Sequence, residues 1–344
     1  MKIGLHLFSH TLLLGCCLLL AGCPAHLPFR EPESMLRWPA PPEPPRIRYL
    51  YTFADAGELG IRPGLLDWLA GKREYRGLQR PAAILVAGER IYVADQAGAL
   101  FLFRTGRRKL VRTQFGGGKR LLSPVGLATG EADSVYVVDS GLGRIVIYDG
   151  NLETSRIVRD GLKRPTGILW NPRKRELAVA EAGADRILIL NQRGVIQRTL
   201  GEAGVGSGQF NTPTHLAFLG KGKDTLLVTD ALNCRVVALD DTGRQLFALG
   251  RPGRETGSLA RPKGVAVDSE GHIYVVDALF GNIQIFNAQG ELLLYFGTNG
   301  PRKPGCFSLP GGIFIDAKDR IYVADTHHSR VQVFQFMDGS GCER

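Results

Sequence analysis

The chain is 344 residues long, carries a formal net charge of +10, and is 44% hydrophobic with 44 Gly and 19 Pro. That apolar content suffices for a substantial core, while the Gly and Pro load points to many turns and excludes an architecture of long helices. The charge is uneven: residues 72–175 hold 20 Lys/Arg against 9 Asp/Glu, so one flank is expected to attract anions or simply to form a solvated basic surface.

Lys2 precedes an almost unbroken apolar run from Leu12 to Leu20, too short to span a bilayer as a stable helix and suited to a signal-peptide core. It ends in Leu20-Ala21-Gly22-Cys23, which resembles the lipobox of bacterial lipoproteins. That resemblance implies cleavage of residues 1–22 and lipidation of Cys23, leaving the protein exported and lipid-anchored in the cell envelope. Several acyl chains anchor strongly, at roughly 0.8 kcal/mol per buried CH₂. Pro24 rather than aspartate follows the cysteine, which favours an outer membrane where two membranes exist. Residues 23–45 read as a Pro-rich tether, because Trp38 to Pro45 is expected to form neither helix nor ladder.

Residues 46–53 (Arg-Ile-Arg-Tyr-Leu-Tyr-Thr-Phe) read as a strand. Residues 54–79 then form an insertion. Within it, Pro63 to Gly71 predicts a short helix whose apolar face includes Trp68, available for packing over the ring or for a partner.

From there a unit recurs with a period in the forties. Each unit opens on a proline (Pro81, Pro124, Pro165, Pro213, Pro262, Pro310). Each has a second strand ending in an acid (Asp95, Asp139, Glu181, Asp230, Asp277, Asp325). The second strands, such as Ile273-Tyr274-Val275-Val276, are short and rich in β-branched and aromatic residues. A third strand follows each acid, and a fourth ends in apolar-Gly, as at Phe296-Gly297. Four antiparallel strands repeated radially solve the edge-strand problem as a propeller does.

The run Pro262 to Asp268, then Gly271 to Asp277, then Asn282 to Phe286 resembles an NHL repeat, as does Asp316 to Phe334. Blades one and three match more loosely, with Glu181 in place of Asp and Asp95 to Ala99 one residue short. The resemblance covers about residues 80–336 and implies an all-β, six-bladed propeller over 46–338, with a tail at 339–344. The sixth unit stops after its third strand, so the strand at 46–53 is expected to close the ring.

Chemistry-bearing residues are sparse. Arg144, Arg186, Arg235 and Arg330 each follow a repeat acid by five positions, and Asn282 does so in blade five. That spacing suggests turn-bracing pairs rather than catalysis. The positions two after each proline are Ala83, Gly126, Gly167, His215, Gly264 and Gly312, expected to line the channel with His215 as a lone imidazole. His272 falls in a turn and His327-His328 in a loop, so symmetry assembles no three-histidine metal site. The loops at 201–210, 250–259 and 297–307 read as blade connectors; no Gly-rich segment has a P-loop's context. Cys234, Cys306 and Cys342 lack redox or haem spacing, although a Cys306–Cys342 disulfide is conceivable.

The reading that follows is a membrane-anchored binding or scaffolding module that docks a protein or envelope glycan through its end faces, more an interaction protein than an enzyme. Candidate contacts are His215, Lys263, His327 and Trp68. No cofactor or metal is implied, and export argues against nucleic acid. The rival is a metal-dependent lyase or hydrolase with a channel site near His215.

Overall fold

The computed structural model describes residues 36–61, 77–220, 222 and 225–337. It is a six-bladed β-propeller. Blades one to five are four-stranded antiparallel sheets beginning at Pro81, Pro124, Pro165, Pro213 and Pro262. Blade six takes Ile313–Ile315, Arg320–Asp325 and Arg330–Phe336 from the C-terminal unit. Its fourth strand is Ile47–Phe53, paired antiparallel with Arg330–Phe336 from Ile47↔Phe336 to Phe53↔Val331. The expected closure is therefore the observed one. Ile47 and Phe53 are fully buried, contributing roughly 1.5–3 kcal/mol each, and this is the seam where the ring would otherwise open.

The core lies between blades. Six apolar clusters each join one blade to the next, as where Tyr136, Val138 and Ile145 of blade two meet Leu177, Val179 and Leu188 of blade three. The last cluster places Phe53, Val331 and Val333 of blade six against Ile84, Phe101 and Phe103 of blade one. Central strands buried on both faces explain the continuous apolar runs in place of simple alternation.

One expectation is corrected. Trp38 does enter a ladder: Arg37–Trp38 pairs with Arg48 and Ile47, giving blade six a fifth strand. The Trp38 ring packs 5.7 Å from Phe296 and 5.9 Å from Phe334. Aromatic packing against the blade-five and blade-six interface outweighs the conformational preference of the prolines that follow. The Pro63–Gly71 helix with Trp68 lies outside the described residues, as do residues 1–35, including Cys23, and residues 338–344, including Cys342. The flanks of the insertion are tied together, since Leu78 N–H donates to the Ala54 carbonyl at 2.7 Å.

Strand direction fixes the two ends of the propeller. One end, the proline face, carries the blade connectors and the turns after each repeat acid. The other carries the hairpins between first and second and between third and fourth strands, several closed by Asp or Asn accepting from backbone N–H groups, as at Asp240 and Asn287.

Candidate functional site

The repeat acids are buried and tie the proline face together. Each accepts hydrogen bonds from the backbone just before its own blade's proline. Asp95 takes Gln79 N–H and Arg80 N–H, and Asp139 takes Leu122 N–H and Ser123 N–H. Glu181 takes Lys163 N–H, and Asp230 takes Asn211 N–H. Asp277 takes Ala260 N–H and Arg261 N–H, and Asp325 takes Ser308 N–H. The arginine five residues on completes the clamp where one is present. Arg235 Nε donates to Asp230 at 2.9 Å while Nη2 reaches the carbonyls of Gly206 and Gln209. Arg330 Nε donates to Asp325 at 2.8 Å and Nη2 to Lys303 and Cys306 carbonyls. In blades four and six carboxylate and guanidinium thus take the N–H and C=O groups of the same connector, which satisfies buried backbone and rivets blade to blade. Asn282 makes no such bond to Asp277; its Oδ1 is buried without a partner. The sequence spacing indicated the acid–arginine pairs but not the backbone groups they hold.

Around these clamps, the turn tips project apolar side chains. Leu232 and Leu279, each two residues after its acid, are 60% and 57% exposed, and Leu142 is also exposed. His327 occupies the same position in blade six and is exposed. Arg80, Arg164 and Arg261, each immediately before a repeat proline, add exposed cations to the same face. Leu232 and Leu279 were missed in the sequence, although their place two residues after an acid would have marked them.

The channel runs between the inner strands and contains a cavity of about 450 Å³. Ala83, Gly126, Gly167, His215 and Gly312 lie on its wall. Small residues are needed here because the strands approach too closely for a side chain. A Cβ on Gly126 would fall 2.3 Å from the Thr166 carbonyl oxygen, and one on Gly312 2.4 Å from that of Ala82. The rest of the wall is apolar, with His215 and Thr129 the polar side chains on it among the described residues. His215 touches channel solvent but is otherwise enclosed by protein. That desolvation, together with repulsion from Lys263, pushes its pKa down to about 3, so the imidazole is neutral at physiological pH. His215 Nδ1 is buried without a hydrogen-bond partner. Lys263, half-buried on the neighbouring inner strand, has its pKa lowered by burial and by Arg261.

His215 and Lys263 lie on neighbouring inner strands within electrostatic reach of each other, although only His215 lines the cavity, whereas His327 sits on the turn tips and Trp68 and Cys23 lie outside the described residues. His328 Nδ1–H donates to Asp325 Oδ2 over 2.9 Å, and His272 Nδ1–H to Asp268 Oδ2, also over 2.9 Å. Among the described residues no group of three or more His, Cys, Asp or Glu side chains is placed to hold a metal ion.

Radial four-stranded blades, inner prolines and buried second-strand acids define a propeller of NHL repeats. The family model described as the teneurin NHL domain matches residues 106–305, and the NHL repeat model matches residues 307–334. The chain belongs to the teneurin NHL domain family. It is 32% identical over 111 residues to the protein brain tumor of Drosophila melanogaster, a match spanning 32% of this chain and 10% of that protein. Similar solved structures include virginiamycin B lyase from Staphylococcus aureus, at 14% identity and TM-score 0.57, covering 75% of this chain and 96% of that one. An auxiliary nutrient binding protein from Bacteroides thetaiotaomicron is similar at 15% identity and TM-score 0.60, covering 77% and 71%. At these identities the structural likenesses define the fold alone.

Proposed function

We propose that this protein is a membrane-anchored binding module, tethered outside the cytoplasm through lipid at Cys23, that docks a protein or glycan of the envelope through its proline face. The observation that carries the docking is the pair of exposed leucines, Leu232 and Leu279, on adjacent turns that buried carboxylates hold rigid. Exposed apolar side chains rimmed by charge are the composition of a protein contact surface, and a pre-ordered scaffold lowers the entropy lost on binding. Exposed Arg80, Arg164 and Arg261 suit a partner with acidic groups beside its apolar ones. A nutrient-binding protein among the similar folds is consistent with a binding role.

Two substitutions separate the parts of this reading. Cys23→Ser is expected to move the protein from the membrane to the soluble fraction, and retention in the membrane would reject the anchor. Leu232→Glu with Leu279→Glu should abolish co-purification of the partner while leaving melting temperature nearly unchanged, since exposed positions contribute within about 0.5 kcal/mol. Unaltered co-purification would reject the proline face.

A further inference from the structure

At the hairpin end of blade one, two arginines stand in direct register. Arg90 opens the second strand, Arg104 closes the third, and the two are cross-strand partners. Like charges placed directly opposite each other destabilise a sheet unless something compensates them. Arg90 pairs with Asp133 at 3.0 Å. Arg104 pairs with no carboxylate among the described residues; its Nη2 donates to Asn151 Oδ1 of blade two. Arg104 Nη1 has no partner and is not among the enclosed atoms. Arg107, exposed in the hairpin that follows, makes no hydrogen bond or ion pair among the described residues. Asn151 is held in place, because its N–H donates to Asp149 at 2.9 Å and the Tyr92 hydroxyl donates to the Gly150 carbonyl at 2.7 Å.

The three arginines and Asn151 line one cavity, whose wall Ala87, Gly88 and Glu89 complete. Its volume, about 430 Å³, falls within the roughly 300–1,000 Å³ of small-molecule sites. A guanidinium has no acceptor, and Asn151 has committed its oxygen to Arg104, so every polar side chain of the wall except Glu89 offers only donors.

We propose that this cavity binds a sulfate or phosphate ester of a hydrophilic molecule, its oxyanion held by Arg104, Arg107 and the Asn151 amide. The donor set selects the class. A tetrahedral oxyanion ester brings three free oxygens, all acceptors, and guanidinium forks match them in pairs. A carboxylate brings only two, and a neutral head leaves the opposed arginines uncompensated. The body of the ligand is hydrophilic because the wall is mostly polar, and Glu89 selects against further negative charge on it. The cluster also gives a use to the basic stretch at 72–175, to which all three arginines belong. This site does not depend on the docking reading, because Leu232 and Leu279 lie on the proline face and the cavity opens on the opposite end.

The test measures binding of glucose 6-phosphate, glucose 6-sulfate, glucuronate and glucose to the full chain by titration calorimetry, with inorganic phosphate and sulfate as controls. At least one ester is expected to bind about ten-fold or more tightly than glucuronate, with glucose weakest, and the tighter ester identifies the anion. Arg107→Gln should weaken that ester about ten-fold while leaving the melting temperature nearly unchanged, since the residue is exposed. Glu89→Gln should tighten it, a change of sign that damage to the fold would not produce. Binding of neither ester, binding no tighter than glucuronate, an affinity untouched by Arg107→Gln, or inorganic anions bound as tightly as the esters would overturn the proposal.

Discussion

Asp325→Asn is the sharpest test of the claim that the repeat acids build the docking face rather than perform chemistry. Asp325 is fully buried and meets four groups: Ser308 N–H at 2.8 Å, Arg330 Nε at 2.8 Å, Gln332 Nε2 at 3.1 Å and His328 Nδ1 at 2.9 Å. Its partner Arg330 is itself only 4% exposed. Asparagine keeps the shape but removes the charge and turns an NH₂ toward existing donors. Breaking one side of a buried ion pair costs about 3–5 kcal/mol, chiefly because the other charge is stranded. At roughly 2–4 °C per kcal/mol for a domain of this size, the melting temperature should fall by about 6–20 °C in calorimetry. Adding Arg330→Met removes the stranded cation and should recover at least about 1 kcal/mol, a coupling that a double-mutant cycle reads directly. Asp95→Asn gives a milder comparison. Its carboxylate accepts from the backbone N–H groups of Gln79, Arg80 and Ala97, with no arginine five residues on, so about 1–3 kcal/mol is expected. A shift under about 2 °C for Asp325→Asn, or losses that simply add in the double variant, would refute the clamp.

Gly126→Ala should destabilise by about 1–3 kcal/mol in chemical denaturation, because the Cβ would meet the Thr166 carbonyl, a backbone atom that cannot rotate away. His215 gives stability a pH dependence of known sign. Its folded pKa, about 3, lies below the ordinary 6.5, so between these values the unfolded chain binds a proton that the fold does not. Stability should therefore fall as pH drops from 6.5 toward 3, and His215→Asn should show a shallower fall between pH 6.5 and 5; parallel curves for the two proteins would contradict the burial argument.

How much was legible in the sequence follows from which interactions are periodic. Counterparts of Pro213 and Asp230 recur in every blade, 14 to 17 residues apart, and of Arg235 in four of the six, because each blade repeats one strand geometry, so blade number and the closing strand at Ile47–Phe53 could be read. The bonds from Asp230 to Asn211 N–H and from Arg235 to the Gly206 carbonyl could not. They depend on where an irregular connector turns its backbone, which side-chain periodicity does not encode. Trp38 was misjudged for a related reason: its neighbours are prolines, and only the tertiary contacts with Phe296 and Phe334 draw it into the sheet. The inner-strand position of His215 was legible as a break in a ring of small residues. The repulsion it feels from Lys263 was not, because the two belong to different blades and share no motif.

The proposed docking on the proline face is tested most directly by photocrosslinking in intact cells from single positions on the two ends of the propeller. A photoreactive amino acid at Leu232 or Leu279 should give a discrete adduct, whereas one at Val195, comparably exposed on the hairpin end, should give none. Adducts of equal yield from both ends, or from Val195 alone, would contradict the assignment.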